Sequence, residues 1–179
     1  MWSLTRTDAA VVVMAAVVCE GVPTMAEWTS NAVQTVQPGA EIVFTENPVP
    51  CDRGLVWERD GTGLFELKGY TPATRRCRCK PEPSAIYQID FGANVAIPTG
   101  ETVGPISLAI TLNGGTIPAS TMIVTPAAVE EYFNVSRAIN ALVRKGCCET
   151  LTIRNTSTIP ILVQNANVIF GRPDLAVSR

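Results

Sequence analysis

The sequence contains no histidine, and that absence excludes more chemistry than any other feature of the chain. A Ser–His or Cys–His nucleophile cannot be assembled, and the commonest general base is missing. Charge is scarce as well. Charged residues make up 17% and the formal net charge is −2, which gives no electrostatic footprint for nucleic acid or an anionic membrane. The single basic cluster, Arg75, Arg76, Arg78 and Lys80, is short and lacks interleaved aromatics, so it reads as a solvated loop. No apolar run reaches the ~20 residues of a membrane-spanning helix. There is no βαβ alternation, no long helical window and no simple repeat. No C-x-x-C accompanies the cysteines.

What is present is a core-forming composition, 46% hydrophobic, with six cysteines. That cysteine count suits an oxidising destination, whereas a reduced cytosolic life would demand a metal or catalysis.

The chain divides near its start. "TRTDAAVVVMAAVVCEGVP" offers Thr7 or Asp8 as a helix N-cap, an apolar run from Ala9 to Cys19, and Gly21 and Pro23 as a stop. The run is about three helical turns with no polar face. Three readings stand side by side. Retained, it is an assembly arm (Ala9, Val11, Val12, Val13, Met14, Val17, Val18) that must bury its whole circumference, best in another copy. Cleaved, it is a signal peptide with Arg6 as a thin n-region and "TMA" before the cut, although Asp8 sits badly there. Or Met25 is the natural start.

From residue 29 the pattern has period two. "AEIVFTE" places Ile42 and Phe44 on one face, and "GLFELKG" sets Phe65 and Leu67 against Leu64, Glu66 and Lys68. "AIYQIDFG" aligns Ala85, Tyr87, Ile89 and Phe91. "PISLAITLNGG" puts Ile106, Leu108, Ile110 and Leu112 inward, with Ser107, Ala109 and Thr111 outward, and ends in a turn at Asn113–Gly115. "STMIVTP", "RAINALVRKG", "TLTIRN" and "IPILVQNANVIF" continue the series. Strand-like runs punctuated by Pro, Gly and Asn at about ten-residue spacing predict an all-β sandwich or barrel.

Acidic candidates carry little. Glu130 and Glu131 are adjacent and read as solvated loop residues. "RDGTG" (Asp60 to Gly63) has turn residues where a turn is expected between strands. No helix follows "NGG", so it is a hairpin turn and not a phosphate loop. No catalytic, cofactor-binding or metal residue is expected, and no cofactor.

The cysteines Cys19, Cys51, Cys77, Cys79, Cys147 and Cys148 are the disulfide candidates. Zinc ligand pairs usually have about two to four residues between them, which neither C-x-C (Cys77, Cys79) nor C-C (Cys147, Cys148) supplies. A redox pair would want C-x-x-C beside an α/β pattern. Disulfides fit best, with a metal site and buried apolar thiols as the other readings. Adjacent strand residues face opposite ways, so Cys147 and Cys148 suit two different distant partners, either both in this chain or one of them in another. Sequence does not choose among the pairings.

Taken together, "VQPGAEIVFTE", "GTGLFELKG", "YQIDFGANVAIPTG", "ISLAITLNGGTIPASTMIVTP" and "LTIRNTSTIPILVQNANVIF" resemble the small jelly-roll domains of the tumour-necrosis-factor and complement-globular-head type. Within that group they look most similar to bacterial and phage versions, which cap collagen-like spore-surface glycoproteins or serve as head-fibre and decoration proteins. The resemblance spans roughly residues 30 to 170 of one domain. It implies a single jelly-roll sandwich and a homotrimer packed by apolar strand faces around a threefold axis. It also implies structural or binding work rather than catalysis. "PCDRG", "CRC" and "GCC" look like features of one bacterial and phage branch. No Gly-X-Y stalk precedes the domain.

The expected organisation is an N-terminal apolar arm or short helix over 1–28, a jelly-roll β-sandwich over 29–172, and a tail over 173–179. The expected partners are the chain itself and, through the arm, a capsid or neighbouring subunits. Nucleic acid and a membrane span are not expected. The expected place is extracellular or on a virion surface, as a virion fibre or decoration protein. The alternative is a disulfide-crosslinked subunit of a bacterial extracellular filament or spore appendage, its arm inserted into the next subunit. A glycan-binding module is a weaker third reading, because Trp2, Trp28 and Trp57 are not clustered in sequence.

Overall fold

The computed structural model describes residues 25–50, 55–69, 84–144 and 148–173. They form twelve strands: β1 (Met25–Ser30), β2 (Gln34–Val36), β3 (Glu46–Val49), β4 (Val56–Glu58), β5 (Phe65–Leu67), β6 (Ser84–Ala96), β7 (Ile106–Leu112), β8 (Gly115–Thr116), β9 (Met122–Val124), β10 (Phe133–Arg144), β11 (Glu149–Asn155) and β12 (Ile161–Gly171). Sheet A runs β10-β6-β12-β1-β3, with β2 also on β12. Sheet B runs β4-β5-β11-β7-β8, with β9 also on β7. All pairings between strands are antiparallel. The chain is an all-β jelly-roll sandwich, as its period-two pattern predicts.

That period explains the core directly. Along β6, Ala85, Tyr87, Ile89, Phe91, Ala93 and Val95 are buried while alternate residues face out. Their partners on β12 and the inward residues of β7 and β11 close the apolar layer. Phe65 sits at the middle of an aromatic cluster, with ring centroids 5.1 Å from Trp28, 5.4 Å from Phe44 and 4.9 Å from Phe170. These edge-on and tilted contacts tie β1 and β12 of sheet A to β5 of sheet B. Ile42 and Phe44 are buried as expected, although they lie in the link before β3 rather than in a long strand.

The turns follow their residues. Asn113 (φ 51°) and Gly114 (φ 77°) both take the left-handed conformation that a two-residue hairpin needs, joining β7 to β8. "RDGTG" is the β4–β5 turn, where the Glu58 carboxylate accepts the N–H groups of Gly61 at 2.8 Å and Gly63 at 2.7 Å. Gly63 also has φ 74°, and a Cβ there would overlap the Ile42 carbonyl oxygen.

Two expectations are corrected. The arm does not extend to residue 28: Met25–Ser30 pairs with β12 along its whole length, and Ala26 and Trp28 are core. Polar and small residues alternate there too weakly for sequence to mark a strand, and the β12 ladder decides it. Second, Ala109 and Thr111 do lie opposite the inward residues of β7, but both are fully buried. The arm residues Ala9 to Val18, and Cys19, Cys51, Cys77, Cys79 and Cys147, lie outside the described residues.

Candidate functional site

The outer face of sheet A is built by the alternate residues that the core leaves over. On β6 these are Ile86, Gln88, Asp90, Gly92 and Asn94. On β10 they are Asn134, Ser136, Ala138, Asn140 and Leu142, their direct cross-strand neighbours. β12 contributes Leu162, Asn167 and Ile169, and β1 contributes Met25, Glu27 and Thr29.

Its polar groups are mostly amides and hydroxyls, with the carboxylates of Glu27 and Asp90 among them. Asn134 Nδ2 donates to Asn94 Oδ1 at 3.2 Å, Gln88 Nε2 donates to Asp90 Oδ2 at 3.1 Å, and Asn167 donates to the Glu27 carboxylate. These groups pair along the face, while Ser136 and Asn140 are exposed. Ile86 and Leu142, paired across β6 and β10, remain 43% and 57% exposed, and Met25 is 52% exposed at the same end of the sheet. An apolar pair on a central strand and its neighbour, set in neutral amides with few charges, can be desolvated at low cost.

The outer face of sheet B differs. Arg59 pairs with Glu66, Arg154 Nη2 donates to Glu41 Oε1 at 2.7 Å, and the buried hydroxyls of Thr111 and Thr152 lie 2.7 Å apart. Its exposed Trp57 and Ile123 sit singly on the short strands β4 and β9. Trp28 is core and Trp57 is at an edge, so these two do not make a glycan platform.

Strand registers also define two poles. β1 and β6 begin, and β10 and β12 end, at one pole, since Met25 faces Gly171 and Ser84 faces Arg144. β11 begins and β5 ends there too, because Glu149 faces Leu67. Every segment outside the described residues attaches to the described strands at this pole. Cys148 stands half-buried just before β11. At the opposite pole the buried Asn155 ties the end of β2 to the β11–β12 loop. Its Nδ2 donates to the Val36 and Ile159 carbonyls at 2.9 and 3.0 Å, and its Oδ1 accepts from Ser157 N–H at 2.9 Å.

Nothing in this geometry assembles a reaction centre. Glu130 accepts from the Thr99 hydroxyl at 2.7 Å, and Glu131 accepts from the N–H groups of Ala127 and Ala128, so both serve loop structure. Among the described residues no group of three or more Cys, Asp or Glu could hold a metal, and no helix is long and apolar enough to cross a membrane.

No protein-family model and no curated protein matches the chain. Solved structures do match. A tumour necrosis factor, Eiger, from S. frugiperda aligns with TM-score 0.59 at 10% identity, covering 83% of this chain and 90% of that one. The globular domain of zebrafish complement 1qA gives 0.54 at 12% identity, over 83% and 94%. Murine APRIL gives 0.50 at 11%, over 82% and 98%. The chain has the jelly-roll fold of those domains. At such identities the likeness fixes the architecture of this jelly roll and leaves its role to its own surfaces.

Proposed function

We propose that the chain is a non-enzymatic structural surface protein, a homotrimeric jelly-roll component of a phage virion of head-fibre or decoration type. Its N-terminal arm, shortened to residues 1–24, holds it to the capsid. The observation that carries the reading is the outer face of sheet A, where Ile86, Leu142 and Met25 stand exposed among neutral amides. Copies of that face can pack around a threefold axis without desolvating many charges. The protein then works outside cells, where disulfides persist.

Sedimentation of the purified chain in reductant is expected to give one species of three chains. A monomer at micromolar concentration would sink the trimer. Removing residues 1–24 is expected to leave the trimer and abolish attachment, and attachment that survives would remove the arm from the reading. Labelled imaging of native particles distinguishes a virion from a filament.

The attachment of the cysteine-bearing segments to strand ends at one pole favours a second reading, an extracellular filament or spore-appendage subunit crosslinked through Cys19, Cys51, Cys77, Cys79, Cys147 or Cys148. Head-to-tail contacts of that kind propagate without closing. Non-reducing gels then show high polymers that collapse only with heat and reductant, whereas the virion trimer runs as a discrete band.

A further inference from the structure

The two edges of sheet A are not equally protected. β3 is four residues long, contains Glu46 and Pro48, and meets β1 with a register shift between Glu27 and Thr29. Short length, proline, charge and a bulge are the usual devices that stop an edge from recruiting another strand. β10 carries charge at Arg137 and Arg144 but has no short length, proline or bulge. It runs twelve residues without Pro or Gly and pairs with β6 in one unbroken register from Phe133–Val95 to Arg144–Ser84. Among the described residues no strand pairs with its other side. β9 approaches near the start of β10, where Thr121–Val124 faces Asn134–Arg137 across an open cleft, and the short 3-10 turn Pro118–Ser120 also lies close to β10.

On such an edge every second residue turns its N–H and C=O away from the sheet. The Arg144 N–H donates to Glu149 Oε1 at 3.1 Å, which marks the even-numbered residues as the outward set. Leu142, Asn140 and Ala138 then carry a free ladder of donors and acceptors beside an exposed apolar face.

We propose that the free edge of β10 receives the apolar arm of a neighbouring copy, residues 9–18, as an added antiparallel strand of sheet A. This rests on the filament reading, in which the arm of one subunit inserts into the next, and names where that arm docks. The run "AAVVVMAAVV" is half valine, which favours an extended strand, and a helix of that length is marginal by itself. A continuous apolar run is what a strand covered on both faces carries. Charges match as well: β10 holds Arg137 and Arg144 and no acid, while Asp8 and Glu20 flank the run.

Topology selects a neighbour over the chain's own arm. Each chain enters sheet A at Met25, at the pole where β10 ends, and β12 and β6 stand between them. An arm crossing that pole, about four strand spacings of ~4.8 Å, lies along its own β10 only in parallel. A neighbour's arm is free to form the stronger antiparallel ladder.

Amide hydrogen exchange on the full-length chain in reductant tests this, followed across a concentration series with the assembly state measured alongside. The expected result is protection of Ala138, Asn140 and Leu142 amides that appears with assembly and falls at least tenfold on dilution. Val13→Pro in the arm and Ala138→Pro on the edge are each expected to lose assembly beyond the trimer. Val13→Pro also loses the protection. Ala138→Pro removes only an outward N–H, so its melting transition remains cooperative. Protection that does not change with concentration would assign the edge to the chain's own arm and overturn the proposal. If Val13→Pro loses assembly with exchange unchanged, this docking site is wrong while the arm reading stands. If it changes neither, both fall.

Discussion

The outer faces of the two sheets are made by the same alternation, yet they end in opposite states. On sheet B the polar groups are closed within the chain: Arg59 with Glu66, Arg154 with Glu41, and Thr111 with Thr152. On sheet A several amides are paired too, but Ile86 and Leu142 are left in water on adjacent strands. A face that keeps an apolar pair exposed has hydrophobic area to gain by meeting another surface. That difference is what makes the outer face of sheet A the interface in the proposed trimer.

The strongest way to break that contrast is to charge the apolar pair. Leu142→Arg is expected to weaken trimer formation at least a hundredfold, about 2.7 kcal/mol, because an unpaired charge must be desolvated at each interface. Sedimentation reads the loss, and the monomer's melting transition should hardly move, since Leu142 is 57% exposed. Trimers that persist at wild-type affinity would show that another face assembles.

A smaller effect is expected inside sheet B. Thr111→Val leaves the Thr152 hydroxyl buried without its partner and should cost about 1–2 kcal/mol in denaturant unfolding. Adding Thr152→Val removes the second hydroxyl too and should recover most of that loss. A double mutant as unstable as the sum of the two singles would mean the pair is not coupled.

The smallest effect belongs to Arg154→Met. The Arg154–Glu41 pair is about a third exposed, and Arg154 Nε is buried without a hydrogen-bond partner among the described residues. Exposed pairs contribute under about 1 kcal/mol, and the orphaned Nε offsets part of that. Thermal melts at low and high salt should differ less in the variant than in the parent protein.

The long strands were legible because their burial is strictly local in origin. The odd residues of β6, the Ile106–Ile110 alternation and the Asn113–Gly114 turn all sit where period two and turn chemistry predict. β1 was not legible: "MAEWTS" carries one aromatic and no β-branched apolar residue, and an apolar run with a Gly–Pro stop just before it drew Trp28 into the arm. Only its pairing with β12 makes it a strand. Asn155 was likewise unreadable. It sits in an N-T-S triplet that looks like a surface signal, but it is fully buried, its amide bonded to the Val36 carbonyl at the end of β2 and to the Ile159 carbonyl of the loop that follows Asn155.

The sandwich class, the turns, the low charge and the lack of a histidine-based site were determined by the sequence alone, since each depends on residue identity or on spacing over a few residues. Which strands become neighbours is a matter of contacts between residues far apart in the chain, and no local pattern encodes it. The tertiary structure therefore decided that the strand ends flanking the cysteine-bearing segments lie at one pole and that Thr111 is buried although it faces outward. It also decided that, of sheet A's two edges, β3 is blunted and β10 is left open.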